Sequence, residues 1–286
     1  MAVDIIAAFT NAPPELDFIW PGFLLGTVGA LVAPGATGKS FWALEAAMAV
    51  ACSVKGGDVI GLSPVPVHTG RVLYIAGEDP EPALVQRIHA IGQYIGQSAR
   101  ESIAAHLVLE PIVGKRLNIL NKKHFDRVIE IGQDAKLIVF DTLSRIHELD
   151  ENSNRDMARL VSVFERLAMV TGAAVLYLHH VSKGSAREGQ TDQQAARGAS
   201  ALIDNARWCG FLSTMTESEG KQFGFSDDIR KKWVRFGVSK QNYCPSDADR
   251  WLKRDAEGVL VVDTPKPNVK NLANSQTTKG DDDAWR

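Results

Sequence analysis

The sequence predicts an α/β fold in which a mostly parallel sheet is flanked by helices and ends in antiparallel edge strands. Three observations support this prediction. Apolar, β-branched runs alternate along the chain with stretches of helical periodicity, which is typical of parallel strands joined by helices. Several of these runs are almost continuously apolar, as expected for strands covered on both faces. After residue 205 the helical stretches give way to closely spaced strand-like runs.

The individual elements follow from these patterns. Five strand-like runs are expected to form the parallel part of the sheet: 26–33, 71–77, 107–113, 136–141 and 174–180. Helical periodicity between them predicts four helices: 39–52, 81–96, 122–133 and 154–172. Three later runs predict antiparallel edge strands: 207–215, 231–243 and 249–263. Basic residues within 230–235 and 250–254 are interspersed with acidic residues and tryptophans, which is typical of a solvated sheet edge.

The length of 286 residues is enough for one large hydrophobic core with loops. We expect this core to span residues 26–263. Residues 1–25 are expected to form an N-terminal arm that contacts a neighbouring subunit. Residues 264–286 contain few side chains that could be buried, so they predict a disordered tail.

Charge and cysteine content restrict the function. The formal net charge of -2 gives no overall attraction to nucleic acid, so any DNA contact requires a local basic patch. Cys52, Cys209 and Cys244 are widely spaced and form no C-x-x-C pair. This argues against a zinc site and against a disulfide framework, and it fits the reducing cytoplasm.

The chain also contains an uncharged stretch, 18–38, that is long enough to span a bilayer. It includes Pro21, Pro34 and several glycines, however, and it leads directly into a lysine. Broken strands and turns explain it better. The N-terminus carries Asp4 and no basic segment, so we expect no secretory signal. We therefore expect a soluble, cytoplasmic protein with no membrane segment.

Residues 31–40, LVAPGATGKS, place a glycine-rich loop between an apolar strand and a helix. This is the setting of the P-loop pattern G-x-x-x-x-G-K-[ST], whose backbone N–H groups surround phosphate oxygens. Ala33 stands where the pattern has its first glycine. Gly35 and Gly38 are expected to supply the turn by taking positive φ. A buried glycine turn with a solvated lysine is the alternative, and the correct flanking elements disfavour it.

The loop predicts specific contacts. Lys39 is expected to reach the β- and γ-phosphates, and Ser40 to bind Mg²⁺, at a helix N-terminus that favours anions. The residues expected to bind nucleotide are Pro34, Gly35, Ala36, Thr37, Gly38, Lys39, Ser40 and Phe41.

Polar residues follow three other buried strands, where open parallel sheets bind their ligands. Asp141 ends LIVFD and is expected to hold Mg²⁺ through water. Glu78 ends YIAGE and is placed to orient and deprotonate a water molecule, whereas Asp79 fits a helix N-cap. His179 and His180 end the last strand and should point to opposite sides. One could sense the γ-phosphate, but a structural role is equally compatible with such a position.

These motifs occur in the order P-loop, AGED, VFDTLSRIH, LHHVSKG, RGASALIDNARW and FGVSKQNY. The chain thereby resembles the RepA-type hexameric replicative DNA helicases of broad-host-range plasmids, which are relatives of the RecA and DnaB motors. The likeness spans roughly residues 5–258. It implies a RecA-like P-loop ATPase core over 26–263 that binds ATP and Mg²⁺. It also implies a homohexameric ring in which ATP lies between subunits and hydrolysis drives movement along single-stranded DNA.

The resemblance also implies roles for individual residues. Glu78 would be the catalytic base, His180 the γ-phosphate sensor, and Arg207 a finger inserted into the neighbouring subunit's site. In DnaB-like motors the late motif reads K-Q-R, whereas this chain keeps Lys240 but has Asn242 in place of the arginine. This departure excludes an arginine finger at position 242 and makes Arg207 the stronger candidate for that role. Further candidates near the site or in the neighbour are His179, Arg197 and Lys240.

A DNA contact is expected in the loop 181–198, which is rich in glycine, glutamine and charge. Lys183 and Arg187 could bind phosphates there if the loop lines a ring channel. An ordinary solvated loop is the alternative.

Three function classes stay open at this point. The first is an ATP-driven ring helicase for DNA replication, and the second is a RecA-like DNA-binding or regulatory ATPase that does not unwind DNA. The third is a P-loop kinase for a small molecule. Glu78 on a separate strand favours water as the acceptor and argues against the kinase.

Overall fold

The computed structural model describes residues 2–181, 200–243 and 249–267. Within these residues, two strands form a small antiparallel pair and nine others form one main sheet. In chain order the strands are β1 (Phe18–Trp20), β2 (Phe23–Leu24), β3 (Val28–Ala33), β4 (Val72–Ala76), β5 (Leu107–Pro111), β6 (Leu137–Asp141), β7 (Ala174–His180), β8 (Trp208–Thr214), β9 (Trp233–Gln241), β10 (Arg250–Arg254) and β11 (Leu260–Val262).

The main sheet has the spatial order β11-β10-β9-β8-β3-β7-β6-β4-β5. From β8 to β5 all neighbouring strands are parallel. From β8 to β11 they are antiparallel. The predicted fold class, a mostly parallel sheet with antiparallel edge strands, is therefore confirmed.

Helices cover both faces of this sheet. In chain order they are α1 (Ile5–Thr10), α2 (Lys39–Ala51), α3 (Glu81–Gly92), α4 (Gln97–His106), α5 (Lys122–Ile131), α6 (Asn154–Thr171), α7 (Ser200–Asn205), α8 (Glu217–Phe223) and α9 (Asp227–Arg230). Short 3₁₀ turns lie at Pro66–His68 and Leu143–Arg145.

The apolar pattern of the strands explains this layering. Every residue of β3, β4 and β6 is buried, because helices lie on both sides of these strands. Side chains alternate between the faces, so β3 contributes Leu31 to the core beside α2 and Ala30 to the core beside α6. α2 is buried almost all round, which is expected for a helix enclosed by protein.

Three sequence predictions need correction. The helix predicted over 81–96 ends at Gly92, and a second helix, α4, follows from Gln97. Glycines at both ends of the break interrupt the apolar periodicity, so the pattern hid the boundary. The run 207–215 forms β8, which is antiparallel to β9 but parallel to β3. Asp79 does not cap α3, because Pro80 is the N-cap residue and the Asp79 carboxylate pairs with Arg87 at 2.8 Å.

The N-terminal region divides into two parts. α1 has no buried residue, whereas Ile19, Trp20 and Phe23 are buried in the main core. Trp20 contacts Trp208 edge-on, with ring centroids 5.5 Å apart. The domain boundaries at residues 25 and 263 stay predictions, and the predicted tail lies outside the described residues from 268 onward. Among the residues described, no helix has both the length and the apolar character needed to cross a bilayer.

Candidate functional site

The loop 34–38 joins the end of β3 to the first turn of α2. Gly38 has φ 103°, which confirms its predicted left-handed backbone. Gly35 does not adopt the positive φ that glycine allows, and Ala36 takes it instead, at 64°. The Thr37 hydroxyl donates to the Pro34 carbonyl at 2.9 Å and closes a turn. Ala36 is the third residue of that turn, the position at which type II turns require positive φ.

Lys39 is a buried lysine, with 5% of its surface exposed. Its Nζ donates to the carbonyls of Ala33 at 2.9 Å and Pro34 at 3.3 Å, and to His180 Nδ1 at 2.8 Å. These three acceptors match the three protons of an ammonium group. Burial lowers the pKa of Lys39 to about 8, while the charges of Asp141 and Glu78 oppose this shift. Lys39 is therefore charged at neutral pH.

Asp141, at the end of β6, is held by two hydroxyl groups. Its Oδ1 accepts from Ser40 Oγ at 3.2 Å, and its Oδ2 accepts from the Tyr74 hydroxyl at 2.7 Å. Burial raises the pKa of Asp141 to about 6, and the two hydrogen bonds oppose the rise. Sequence reasoning did not single out Tyr74. The available signal was a hydroxyl-bearing side chain within the apolar run 71–77.

Ser40 and Asp141 fit a magnesium ion. They present a hydroxyl and a carboxylate oxygen, the hard donors that Mg²⁺ prefers. In the part of the chain that the structure describes, no group of three or more His, Cys, Asp or Glu residues could hold a metal. Two protein oxygens suit Mg²⁺ bound with a nucleotide, since this ion keeps several waters and shares phosphate oxygens.

Glu78 follows β4 and His180 ends β7, and both lie next to Lys39. Because an ammonium group cannot accept a hydrogen bond, His180 Nδ1 is the acceptor from Lys39. Burial and the charge of Lys39 lower the pKa of His180, so the ring is neutral and carries its proton on Nε2. That atom lies 3.7 Å from Glu78 Oε1. The structure thus places Lys39, His180 and Glu78 in a row.

His179 points to the other side of β7, as predicted. Its Nδ1 lies 3.7 Å from Glu151 Oε2, and Glu151 Oε1 lies 3.8 Å from His147 Nε2. Burial is the main cause that lowers the pKa of His179 to about 4, with further contributions from His180, Lys39 and His147. Both histidines are therefore neutral at pH 7, since burial also lowers the pKa of His147. Sequence reasoning gave no role to Glu151 or to His147, although His147 is the last residue of the motif VFDTLSRIH.

Arg207 and Lys240 lie away from this group. Arg207 precedes β8, and its N–H donates to the Val28 carbonyl, at the start of β3. The P-loop begins at the other end of β3, about 17 Å away at about 3.3 Å per residue. Lys240 donates to the carbonyls of Ile203 at 3.3 Å and Asp204 at 2.6 Å, close to Arg207. Lys183, Arg187 and Arg197 lie outside the described residues.

Comparison with known proteins identifies the family and the fold of the chain. A family model described as an AAA domain matches residues 1–186. One solved structure, described as an ATPase domain, superposes with a TM-score of 0.58 at 13% identity, covering 91% of this chain and 96% of that one. A DnaB-like replicative helicase, solved in a study of its interactions with primase, also has a TM-score of 0.58 at 13% identity. That match covers 90% of this chain and 66% of the helicase chain. At these identities the likeness establishes a shared RecA-like fold.

Proposed function

This chain belongs to the AAA domain family, and we propose that it is an ATP-hydrolysing ring motor. In this proposal a homohexamer translocates on single-stranded DNA and unwinds duplex DNA during replication. The replicon is a plasmid or another mobile element, as in the RepA-type helicases that the motifs resemble, and the location is the cytoplasm. The fold shared with a solved ATPase domain and with a DnaB-like replicative helicase supports the motor class.

The observation that carries the proposal is the convergence of polar side chains at one edge of the sheet. Lys39, Ser40, Glu78, Asp141 and His180 come from four different strand ends and are linked by contacts of 2.8 to 3.7 Å. A protein that bound an anion without hydrolysing it would need only the loop and Lys39. A carboxylate pointing at the same place gives the site a base, which hydrolysis by water requires.

Each residue has a distinct part in the proposed hydrolysis. Lys39 exchanges one of its three acceptors for a phosphate oxygen and offsets its charge. Glu78 accepts the proton of the attacking water. The imidazole of His180 lies between Lys39 and Glu78. A change in the hydrogen bonds of Lys39 would therefore alter the position of His180, and with it the contact of His180 with Glu78. Mg²⁺, held by Ser40 and through water by Asp141, would further neutralise the phosphate oxygens.

The ring and the DNA contacts are the outer parts of the proposal. Arg207 would reach the nucleotide of the next subunit, with Lys240 beside it. His179 and Arg197 are further candidates for supporting roles. Lys183 and Arg187 would bind phosphates of single-stranded DNA. The description of one structural relative as a DnaB-like replicative helicase supports this interpretation.

A combined assay tests the function. Particle mass is measured with a non-hydrolysable ATP analogue and single-stranded DNA, and ATP turnover and strand displacement on a forked duplex are then followed. We expect a ring, DNA-stimulated turnover and displacement, all lost in Lys39→Ala because a phosphate counter-charge is removed. Ring formation and turnover without displacement would instead identify a regulatory ATPase. ATP-dependent phosphorylation of a small acceptor would identify a kinase.

A further inference from the structure

We propose that Arg254, at the end of β10, is a positioning residue that fixes the orientation of the nucleotide-binding loop. Its Nη2 donates to the Ala36 carbonyl at 3.3 Å and also to the Thr37 carbonyl. This role rests on the proposed binding of ATP at the same loop. Sequence reasoning interpreted the segment 250–254 as a solvated sheet edge and gave it no part in the site.

The geometry of the peptide bond explains why these two carbonyls matter. In a planar trans peptide the C=O of one residue and the N–H of the next point in opposite directions. Holding the carbonyls of Ala36 and Thr37 therefore turns the N–H groups of Thr37 and Gly38 the other way. A loop binds phosphate by converging such N–H groups on its oxygens. Arg254 contacts the outer side of the loop and so directs its inner side.

The loop has reason to need this support. Ala36 and Gly38 both have positive φ, and for alanine that conformation is strained. Gly38 also leaves room for the guanidinium, since a Cβ there would come within 3.1 Å of Arg254 Nη2. Glycine at position 38 thus serves both the backbone conformation and the approach of Arg254.

Arg254 is itself held by the hairpin formed by β10 and β11. Its N–H donates to the Lys232 carbonyl at 2.7 Å, and it is paired with Leu260 across the hairpin. The Leu260 N–H in turn donates at 2.9 Å to Glu45, a fully buried carboxyl group on α2. The hairpin is therefore attached to α2, the helix that directly follows the loop. These hydrogen bonds fix the position of the Arg254 backbone, so the guanidinium is held next to the loop.

Among the residues that the structure describes, no carboxylate lies within ion-pair distance of the Arg254 guanidinium. Burial lowers its pKa, but an arginine stays protonated at neutral pH. Arg254 thus brings a positive charge, as well as two hydrogen bonds, next to the loop that would bind an anion.

The chain offers a matched control in Arg250. It lies four residues earlier on β10 and also donates to a backbone carbonyl, that of Gly61, which is outside the loop. Its guanidinium stacks over Phe236 at 5.7 Å. Replacing Arg250 removes a comparable anchor of the hairpin but leaves the nucleotide loop untouched.

The test compares Arg254→Gln, Arg254→Lys and Arg250→Gln. The dissociation constant of Mg-ADP is measured by calorimetry, together with Tm in the absence of nucleotide and with the KM and kcat of ATP hydrolysis. We expect Arg254→Gln to weaken ADP binding on the order of tenfold, as for loss of a hydrogen bond from a charged donor. KM should rise with little change in kcat. Arg254→Lys should recover part of the affinity, and Arg250→Gln should bind ADP like the wild type.

The outcomes separate this role from the function on which it rests. Wild-type protein that binds no ADP would overturn both. Normal wild-type binding, with Arg254→Gln no weaker than Arg250→Gln, would overturn only the role of Arg254. If Arg254→Gln folds poorly, the decision passes to Arg254→Lys. The lysine Nζ is one bond closer to the backbone than arginine Nη2, so affinity equal to wild type in that variant would show that the two hydrogen bonds from Nη2 are not needed, and would refute the proposal.

Discussion

The two ends of the parallel strands differ in whether the charged side chains there find partners within the same chain. At the edge where the strands end, Lys39, Asp141 and His180 are bonded to one another or to their neighbours. At the opposite edge, Arg207 is exposed and has no ion pair among the described residues. The first edge has the features of a finished site, with buried charges and shifted pKa values. The second presents a cation that pairs with none of the carboxylates that the structure describes.

This difference is what a head-to-tail ring would require. In a heterologous interface, one surface of a subunit meets a different surface of the next, and repetition closes the ring. An arginine at one edge would then complete a nucleotide site at the other edge of its neighbour. Variants at each edge test whether Arg207 has this role.

The largest expected effect comes from Arg207→Ala. If Arg207 stabilises charge on the transferred phosphoryl group of the next subunit, its loss should reduce ATP turnover by about 10³–10⁵ while nucleotide binding is retained. Arg71→Ala is a matched control, because Arg71 is exposed, also directly precedes a parallel strand and lies at the same edge. Its turnover should stay near that of the wild type.

Mixing two inactive proteins tests whether Arg207 acts across the interface. In rings that combine Arg207→Ala and Glu78→Gln subunits, some interfaces pair an intact Glu78 with an intact Arg207. Activity should therefore partly return at intermediate mixing ratios. If subunits exchange and no activity reappears, Arg207 does not act on the neighbouring subunit.

The second effect concerns the finished edge. Glu78→Gln should leave ATP binding nearly intact and lower turnover by about 10²–10⁴, the range for a positioned acid or base. Asp79→Asn is the control, since its carboxylate faces Arg87 at 2.8 Å and not His180. Single-turnover assays and equilibrium binding of labelled ATP would separate the two steps. Equal losses in both variants would remove Glu78 from its proposed role.

The residues at the edge where the strands end were unequally visible in the sequence. Lys39, Glu78, Asp141 and His180 follow apolar runs, so the strand pattern predicts that they meet at one edge. Tyr74 and Arg254 were not predicted as site residues. In the sequence Tyr74 is an ordinary strand residue, and only the fold shows that its hydroxyl contacts Asp141. Arg254 reaches the loop only because β10 and β11 fold back onto α2, a long-range pairing that has no local signal.

The P-loop and the contacts of His179 with Glu151 and of Glu151 with His147 also differ in how far apart along the chain the residues that form them lie. Gly38 and Lys39 act through their own backbone and side chain, so their spacing along the chain is diagnostic. His147 and Glu151 meet His179 through packing of a loop against a strand, at 3.7 to 3.8 Å. Such contacts depend on the whole fold and cannot be read from spacing.

The smallest of the expected effects is a difference between the edges in their response to acid. The pKa of His179 falls from 6.5 to about 4 on folding, mainly through burial. Above pH 6.5 the ring is neutral in both states. Between pH 6.5 and 4 the unfolded chain binds a proton at this position and the folded chain does not. Acid therefore favours the unfolded state, and the stability contributed by a neutral His179 is lost as pH falls through this window.

His179→Asn removes this titration while keeping a polar atom towards Glu151. The unfolding free energy of wild type minus that of His179→Asn should fall by about 3 kcal/mol between pH 7.5 and 4, because the pKa of His179 is 6.5 in the unfolded chain and about 4 in the folded one. Urea titrations at several pH values measure it. Titration of Asp141 is present in both proteins and largely cancels in this difference. The same subtraction for Arg207→Ala should give a flat line, because an exposed arginine stays charged throughout. A flat line for His179→Asn as well would mean that its ring titrates as it does in the unfolded chain, and that the finished edge does not hold it in the neutral form.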